Sequence, residues 1–344
     1  MLDRLFPILT GPVRRACERM PAELRRVAEE LRVRAERPLE VVAAGKPWFV
    51  SADGTAGPHP SGAYRPTRED CDRLMECITR HSLYSFEEQM RRGFITVAGG
   101  HRVGLAGRAV VENGRIRLLR DVTGLNFRIA REVIGAAEPV FPQLIDLASE
   151  SIHHTLVLSP PQGGKTTFVR DLARLVSYGR WPLGASFGKG LKVGIVDERS
   201  EIAACDKGVP AFDVGPRTDV LDGCPKAEGM LMMVRSLSPD VLVVDEIGGA
   251  EDAGAGVEEA AHAGVRVVAT AHAWGVTDAE KRPGLARLIA NRTFGRYVVL
   301  QKGRTAGAGV RAVVLDADFR PVNRKPFLAP ATADMLLGGG GERV

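Results

Sequence analysis

The apolar positions change their period twice along this chain of 344 residues, and those changes divide it. Residues 14–35 begin with helical spacing, Pro21 marks a helix start, and Arg32 to Val42 turns towards strand. Ala43-Ala44-Gly45-Lys46-Pro47 reads as a turn before Trp48-Phe49-Val50, and the Gly-, Pro- and Ser-rich stretch from Asp53 to Pro66 as a loop. Thr67-Arg68-Glu69-Asp70 has the form of a capping box that opens a helix through Leu74 and Ile78. A second helix is predicted over Ser85 to Arg92. The period then becomes two. Phe94–Val97 and His101–Leu105 flank Gly99-Gly100 as a hairpin, and Asn113-Gly114 signals another between Val110-Val111 and Arg115-Ile116. Residues 1–130 are therefore expected to form a smaller α+β domain that ends in an antiparallel meander. Residues 131–150, apolar at Val133, Ile134, Val140, Leu144 and Leu147, are expected to be a connector with a helix.

From residue 153 short apolar runs recur at 155–158, 193–196, 241–244, 265–269 and 297–300, separated by helical or loop segments. Strands alternating with helices predict an α/β domain over 151–325, its sheet mostly parallel and covered by helices on both faces. Residues 326–344, with Leu337 followed by Gly338 to Gly341, read as a loose tail.

The candidate chemistry sits where the first of these runs ends. Ser159-Pro160-Pro161-Gln162-Gly163-Gly164-Lys165-Thr166-Thr167 follows a strand and precedes a helix, the setting of a phosphate-binding loop. Pro161, Gln162, Gly163, Gly164, Lys165, Thr166 and Thr167 would bind the nucleotide: backbone N–H groups of the turn and the positive end of the helix would surround a polyphosphate. Lys165 would reach the β- and γ-phosphates, and the Thr166 hydroxyl would ligate Mg²⁺. Ser159 stands where such loops usually carry their first glycine.

Acidic residues end two later strands. Val241-Leu242-Val243-Val244 delivers Asp245-Glu246 to the sheet edge where ligands bind in open α/β folds. Asp245 would hold the metal through its water shell, and Glu246 would orient and activate a water. Val193–Val196 leads to Asp197-Glu198; one of these acids would stand beside the metal, or both would enrich a helix N-terminus. His272, just past Val265–Ala269, is read as a γ-phosphate contact or as a structural histidine. His262 reads as a helix-face residue, and His153-His154 lacks a third metal ligand. An arginine is wanted for the charge of phosphoryl transfer; Arg217, Arg292, Arg296, Arg102, Arg108, Arg120 and Arg128 are the candidates.

Composition narrows the class. The chain is 44% apolar and 26% charged with net charge +5, ordinary for a globular protein with a core. Its five cysteines are scattered with no Cys-x-x-Cys pair, which argues for a reducing cytoplasm and against a disulfide partner or a zinc site. No signal-peptide pattern and no run of about 18 apolar residues is found. No basic block with interleaved aromatics occurs, and the chain has four tyrosines and three tryptophans, so nucleic acid is not the expected partner.

Taken together, several segments resemble the stage III sporulation protein AA family. These are Tyr84–Glu88, Ile95–Gly107, the phosphate loop, Val196–Ile202, Arg217–Asp222, Ser238–Gly248 and Asn291–Leu300, within a match over about residues 20–325. The resemblance implies a RecA-like P-loop NTPase core similar to the hexameric ATPases of type II and type IV secretion. It implies ATP and Mg²⁺ as cofactors and a homo-hexamer made in the mother-cell cytoplasm. It also implies membrane-embedded partners in a channel between mother cell and forespore, so that the chain is peripheral to the membrane through them. By the same resemblance Asp197-Glu198 is similar to an acidic box and His272 to a histidine box. Secretion ATPases generally lack an Asp where Asp245 stands. The expected catalytic set is Glu246, Lys165, Glu198 and His272. Two other readings remain: an ATPase dependent on single-stranded nucleic acid, and a scaffold that binds nucleotide only to assemble.

Overall fold

A computed structural model describes residues 1–79, 86–91, 93–112, 114–182, 189–249, 256–302 and 310–322. Its chain forms two compact units, Met1–Val133 with Asp197–Asp213, and Ile134–Val196 with the residues from Val214 onward.

The first unit is built on a seven-stranded sheet in the order β4-β3-β2-β1-β7-β6-β5. The strands are β1 (Ala28–Arg34), β2 (Glu40–Ala43), β3 (Lys46–Val50), β4 (Ala56–Gly57), β5 (Phe94–Val97), β6 (His101–Glu112) and β7 (Arg115–Arg128). Every pairing is antiparallel. Leu31, Val33, Val41, Val103, Leu125 and Phe127 lie in its core, packed with Leu74 and Ile78 of the helix Arg68–Thr79. That helix opens on the capping box. The Asp70 amide donates to Thr67 Oγ1 at 3.2 Å, and Asp70 Oδ2 accepts from the Thr67 amide at 2.9 Å. Tyr64 Oη also donates to Asp70 Oδ2 at 2.5 Å, which explains why this acid is buried.

The start of the chain departs from expectation. Helices Gly11–Arg19 and Ala22–Val27 break at Met20-Pro21, and the strand begins at Ala28, several residues before Arg32. The burial pattern of β1 supplies the reason: Ala28, Leu31 and Val33 are buried, so packing selects strand where local spacing suggested helix. The second helix covers Glu87–Arg91; its expected start at Ser85, like Tyr84 and the turn residue Asn113, lies outside the described residues.

The second unit contains the α/β sheet, in the order β12-β11-β13-β14-β10-β15-β16. Before it come a four-residue helix, Phe141–Leu144, and the two-stranded ribbon of β8 (Ile145–Asp146) and β9 (Ser151–Ile152). The connector thus holds one turn of helix and a tiny hairpin. The sheet strands are β10 (Thr155–Ser159), β11 (Val193–Asp197), β12 (Thr218–Asp222), β13 (Val241–Val244), β14 (Arg266–His272), β15 (Arg296–Lys302) and β16 (Val310–Leu315). The pairs β10–β14, β10–β15, β11–β13 and β13–β14 are parallel, and β15–β16 is antiparallel. Strands β10, β11 and β13 are buried at every position, as expected for strands covered on both faces. The helices Lys165–Tyr178, Lys226–Leu237 and Pro283–Ala290 supply buried residues to this unit. Asp197–Asp213, expected within the ATPase domain, instead joins the first unit. There Arg102 pairs with Glu201 at 2.6 Å and Glu132 accepts from the Asp213 amide at 2.6 Å.

Each unit also holds a histidine as a hydrogen-bond acceptor, His101 buried and His154 half-buried. His101 Nδ1 accepts from the Ala130 amide at 3.0 Å, and His154 Nδ1 from the Val267 amide at 3.2 Å. Burial lowers both to about 4, assisted by the charge of Arg4 at His101 and of Arg266 at His154. Below the ordinary histidine value near 6.5 the unfolded chain takes up protons that the folded chain refuses. Stability from these two groups is therefore present above about pH 6.5 and lost as pH falls towards 4. Urea unfolding measured across that window should show a falling midpoint. His101→Asn with His154→Asn should flatten this slope relative to the parent, and an unchanged slope would show the two sites to be titrating normally.

Candidate functional site

Parallel register brings the candidate residues to one edge of the second unit's sheet. Ser159, the last residue of β10, is paired with His272, the last residue of β14. β13 lies on the other side of β14 and ends one residue before Asp245.

The loop after β10 runs through exposed Pro161 and Gln162 to buried Gly163 and to Gly164, which caps the helix Lys165–Tyr178. Gly164 has φ 92°, a conformation open to glycine and costly for other residues. Gly163 is needed for space. A Cβ there would collide with the Ser159 hydroxyl and lie 2.8 Å from the Ser159 Cβ and 3.0 Å from the Pro160 carbonyl oxygen. Ser159 is itself fully buried, its hydroxyl donating to the Pro160 carbonyl at 2.8 Å. The serine at the usual glycine position and the glycine at 163 therefore accommodate one another. Thr166 and Thr167 are half-buried in the first helical turn, where N–H groups have no partner within the helix.

Lys165 is buried, and its ammonium donates to the carbonyls of Ser159 at 3.3 Å and Pro160 at 3.4 Å. It also lies 2.9 Å from His272 Nδ1. An ammonium only donates, so Nδ1 is the acceptor and the proton of the neutral ring sits on Nε2. Nε2 is 2.7 Å from Glu246 Oε1. Lys165, His272 and Glu246 thus form a continuous polar chain.

Asp245 is buried beside them. Thr270 Oγ1 donates to Asp245 Oδ1 at 2.5 Å, and Thr166 Oγ1 to Asp245 Oδ2 at 3.4 Å. The same Thr270 hydroxyl accepts from the Glu246 amide at 2.8 Å. That bond helps to hold Glu246 in a left-handed conformation with φ 49°, which costs a non-glycine residue on the order of 1–3 kcal/mol. Thr270 is a site residue that the sequence did not mark. A threonine directly after the apolar run Val265–Ala269 was the available signal, and the fold buries it wholly.

The other expected residues have contacts of their own. Asp197 accepts from the amides of Glu201, Ile202 and Ala203, each at 2.9 Å, so its carboxylate shapes the segment that follows β11. Glu198 is half-buried and falls, with Asp197, in the first unit. Arg296 starts β15, paired with Thr155 at the end of β10 opposite the loop, and donates to the Gln143 carbonyl. Arg292 pairs with Asp318 at 3.1 Å, and His262 ends a short helix. Among the described residues no group of three or more His, Cys, Asp or Glu is arranged to hold a metal, and no helix is long and apolar enough to cross a membrane.

The residues that do converge fit a polyphosphate with a hard cation. A glycine-opened loop and a helix start meet an ammonium, and a hydroxyl and a carboxylate lie within one hydrogen bond of each other. Its architecture places the chain in the RecA-like α/β fold class, with a mostly parallel sheet. Its fold is similar to the Legionella pneumophila ATPase DotB, with TM-score 0.55 and 16% identity over 90% of this chain and 82% of that one. It is also similar to the pilus retraction motor PilT with bound ADP, with TM-score 0.52 and 15% identity over 85% and 80% of the two chains. At such identities the likeness is one of fold. The chain belongs to the family described as sporulation stage III, protein AA, whose pattern matches residues 2–315. It is 43% identical over 323 residues to stage III sporulation protein AA of Bacillus subtilis, covering 94% of this chain and 98% of that protein. It is also 35% identical over 181 residues to the Arabidopsis thaliana protein SEEDLING PLASTID DEVELOPMENT 1, covering 51% of this chain and 24% of that one.

The mutual fit of Ser159 and Gly163 is open to a double-mutant cycle. Gly163→Ala should lower thermal stability by about 1–3 kcal/mol through overpacking. In the Ser159→Gly background the same change should cost at least about 1 kcal/mol less. Simple additivity in the two melting curves would show that the serine does not set the constraint.

Proposed function

We propose that this chain is a Mg²⁺-dependent ATP hydrolase and that it serves as the motor or assembly ATPase of a sporulation channel. The observation that carries the reading is the chain Lys165–His272–Glu246, with contacts of 2.9 and 2.7 Å, at the loop end of a parallel sheet. Bound MgATP would supply an electrophilic γ-phosphorus and a cation that spreads its charge.

The protein's part follows from the groups present. Lys165 exchanges its contacts with the Ser159 and Pro160 carbonyls for phosphoryl oxygens, without the cost of leaving an ammonium unpaired. The backbone N–H groups from Gly163 to Thr167 hold the remaining phosphate charge, and Pro161 and Gln162 cover the loop. Thr166 and Asp245 hold the cation, with Thr270 keeping the carboxylate turned towards it. Glu246 orients a water and takes its proton as general base. His272 joins Glu246 to Lys165, so displacement of either contact is felt at the other. Glu198 is assigned a supporting acidic role.

Support for a sporulation role comes from family membership and from the relative in Bacillus subtilis. Support for membrane-embedded partners and a peripheral place in the mother-cell cytoplasm comes from the resemblance to the stage III sporulation protein AA family, and for a ring of six copies from the similarity to secretion ATPases.

Turnover and nucleotide binding, measured on the same preparations, test the reading. Wild type should release phosphate from ATP in a Mg²⁺-dependent reaction. Glu246→Gln should retain ATP within a few-fold and lose at least about 100-fold in turnover, the scale of a lost general base. Lys165→Ala should lose binding itself. Equal turnover in wild type and Lys165→Ala would overturn the assignment, and a Glu246→Gln protein that still supports sporulation would favour a scaffold.

A further inference from the structure

The helix that begins at Lys165 carries a buried acid that the chemistry above does not use. Asp171 lies six residues along it, and its side chain is fully buried. Its two oxygens serve the chain just after the unit boundary: Oδ1 accepts from the Gly135 amide at 3.0 Å and Oδ2 from the Ala137 amide at 2.8 Å. Arg174 bonds Oδ1 through Nε at 2.9 Å and continues to Glu138 at 3.4 Å. The connector from residue 135 to residue 138 is thereby fastened to the nucleotide-loop helix by one carboxylate and one guanidinium.

Burying a carboxylate is costly unless charge and hydrogen bonds compensate it. Helix stability does not require an acid at this position, and neighbouring Leu172 and Ala173 show that apolar residues fill the same helix. What Asp171 achieves is attachment. A helix moves as a rigid rod, so a shift at its first turn, where Lys165 and Thr166 stand, appears at Asp171 about 9 Å along the axis. Residues Gly135 and Ala137 must follow, and they lie two and four positions beyond Val133, the last residue of the first unit's main segment. Coupling between distant sites is carried by such elements when their position depends on ligand.

We infer that Asp171 is a positioning residue that transmits nucleotide state from the phosphate loop to the connector, and through it to the first unit. The inference rests on the nucleotide-binding reading above. By thermodynamic reciprocity, movement of the first unit imposed by a partner alters nucleotide affinity through the same contact.

The test uses the full-length protein with Cys77 and Cys224 replaced by Ser and paired spin labels at Asp72→Cys and Leu147→Cys, exposed positions in the first and second unit. In the wild-type background, saturating MgATP should change the interlabel distance. With Asp171→Asn, whose amide group offers N–H where a backbone N–H now donates, ATP affinity should stay within about three-fold while the distance change is lost. Retention of the full change in Asp171→Asn would overturn the inference, as would a wild type that binds ATP with no change. If Asp171→Asn fails to fold, replacement of the Ala137 amide by an ester removes one donor alone. It should reduce the change at unaltered affinity, and an undiminished change there would also overturn the inference. A wild type that does not bind ATP at all would instead defeat the nucleotide reading.

Discussion

The buried ammonium of Lys165 is the constraint around which the second unit's site is organised. A charge at this depth is tolerated only where acceptors are fixed beforehand, and they come from three places: the last carbonyl of β10, the next residue's carbonyl, and the imidazole ending β14. Parallel pairing of β10 with β14 sets those acceptors side by side. Neutral His272 must then present Nδ1 to the lysine, which commits Nε2 to Glu246. One buried charge therefore determines a loop conformation, a tautomer and the direction of a carboxylate.

The surrounding residues show how local cost is offset by packing. Serine at position 159 is unusual for such a loop, yet its hydroxyl is satisfied within the turn and its volume is matched by the absent side chain of Gly163. Glu246 occupies a strained conformation and is restrained by its amide bond to Thr270, whose hydroxyl proton serves Asp245. A strained residue held by a second group is the arrangement expected where geometry serves chemistry.

Much of this was legible along the chain. The strands 155–158, 193–196, 241–244 and 297–300 reappear within about two residues, because a run of buried apolar residues has few alternatives in an α/β sheet. The capping box at Thr67 forms with both of its reciprocal bonds. The edge strands β12 and β16 were not read, since Thr218–Asp222 is half-exposed and Val310–Leu315 pairs on one side only. The strand character of Ala28–Glu30 escaped because it depends on the neighbour β2, and on β7 nearly a hundred residues away. Asp197, read with Glu198 as a candidate beside the metal, accepts from three backbone amides of the segment that follows β11. An acid at a strand end looks the same in sequence whether it faces a ligand or its own backbone.

The sequence by itself determined the α/β class of the second unit, the loop from Ser159 to Thr167, and the acids and histidine at the ends of two strands. Periodicity and turn chemistry act over a few residues, and a linear pattern records them. The tertiary structure decided which of those polar groups meet: Lys165 with His272, His272 with Glu246, and Thr270 with Asp245. It also decided that Asp171 fastens the connector and that Asp197–Asp213 returns to the first unit. Those outcomes depend on strand order and register over separations from 25 to 107 residues, and no local spacing encodes them.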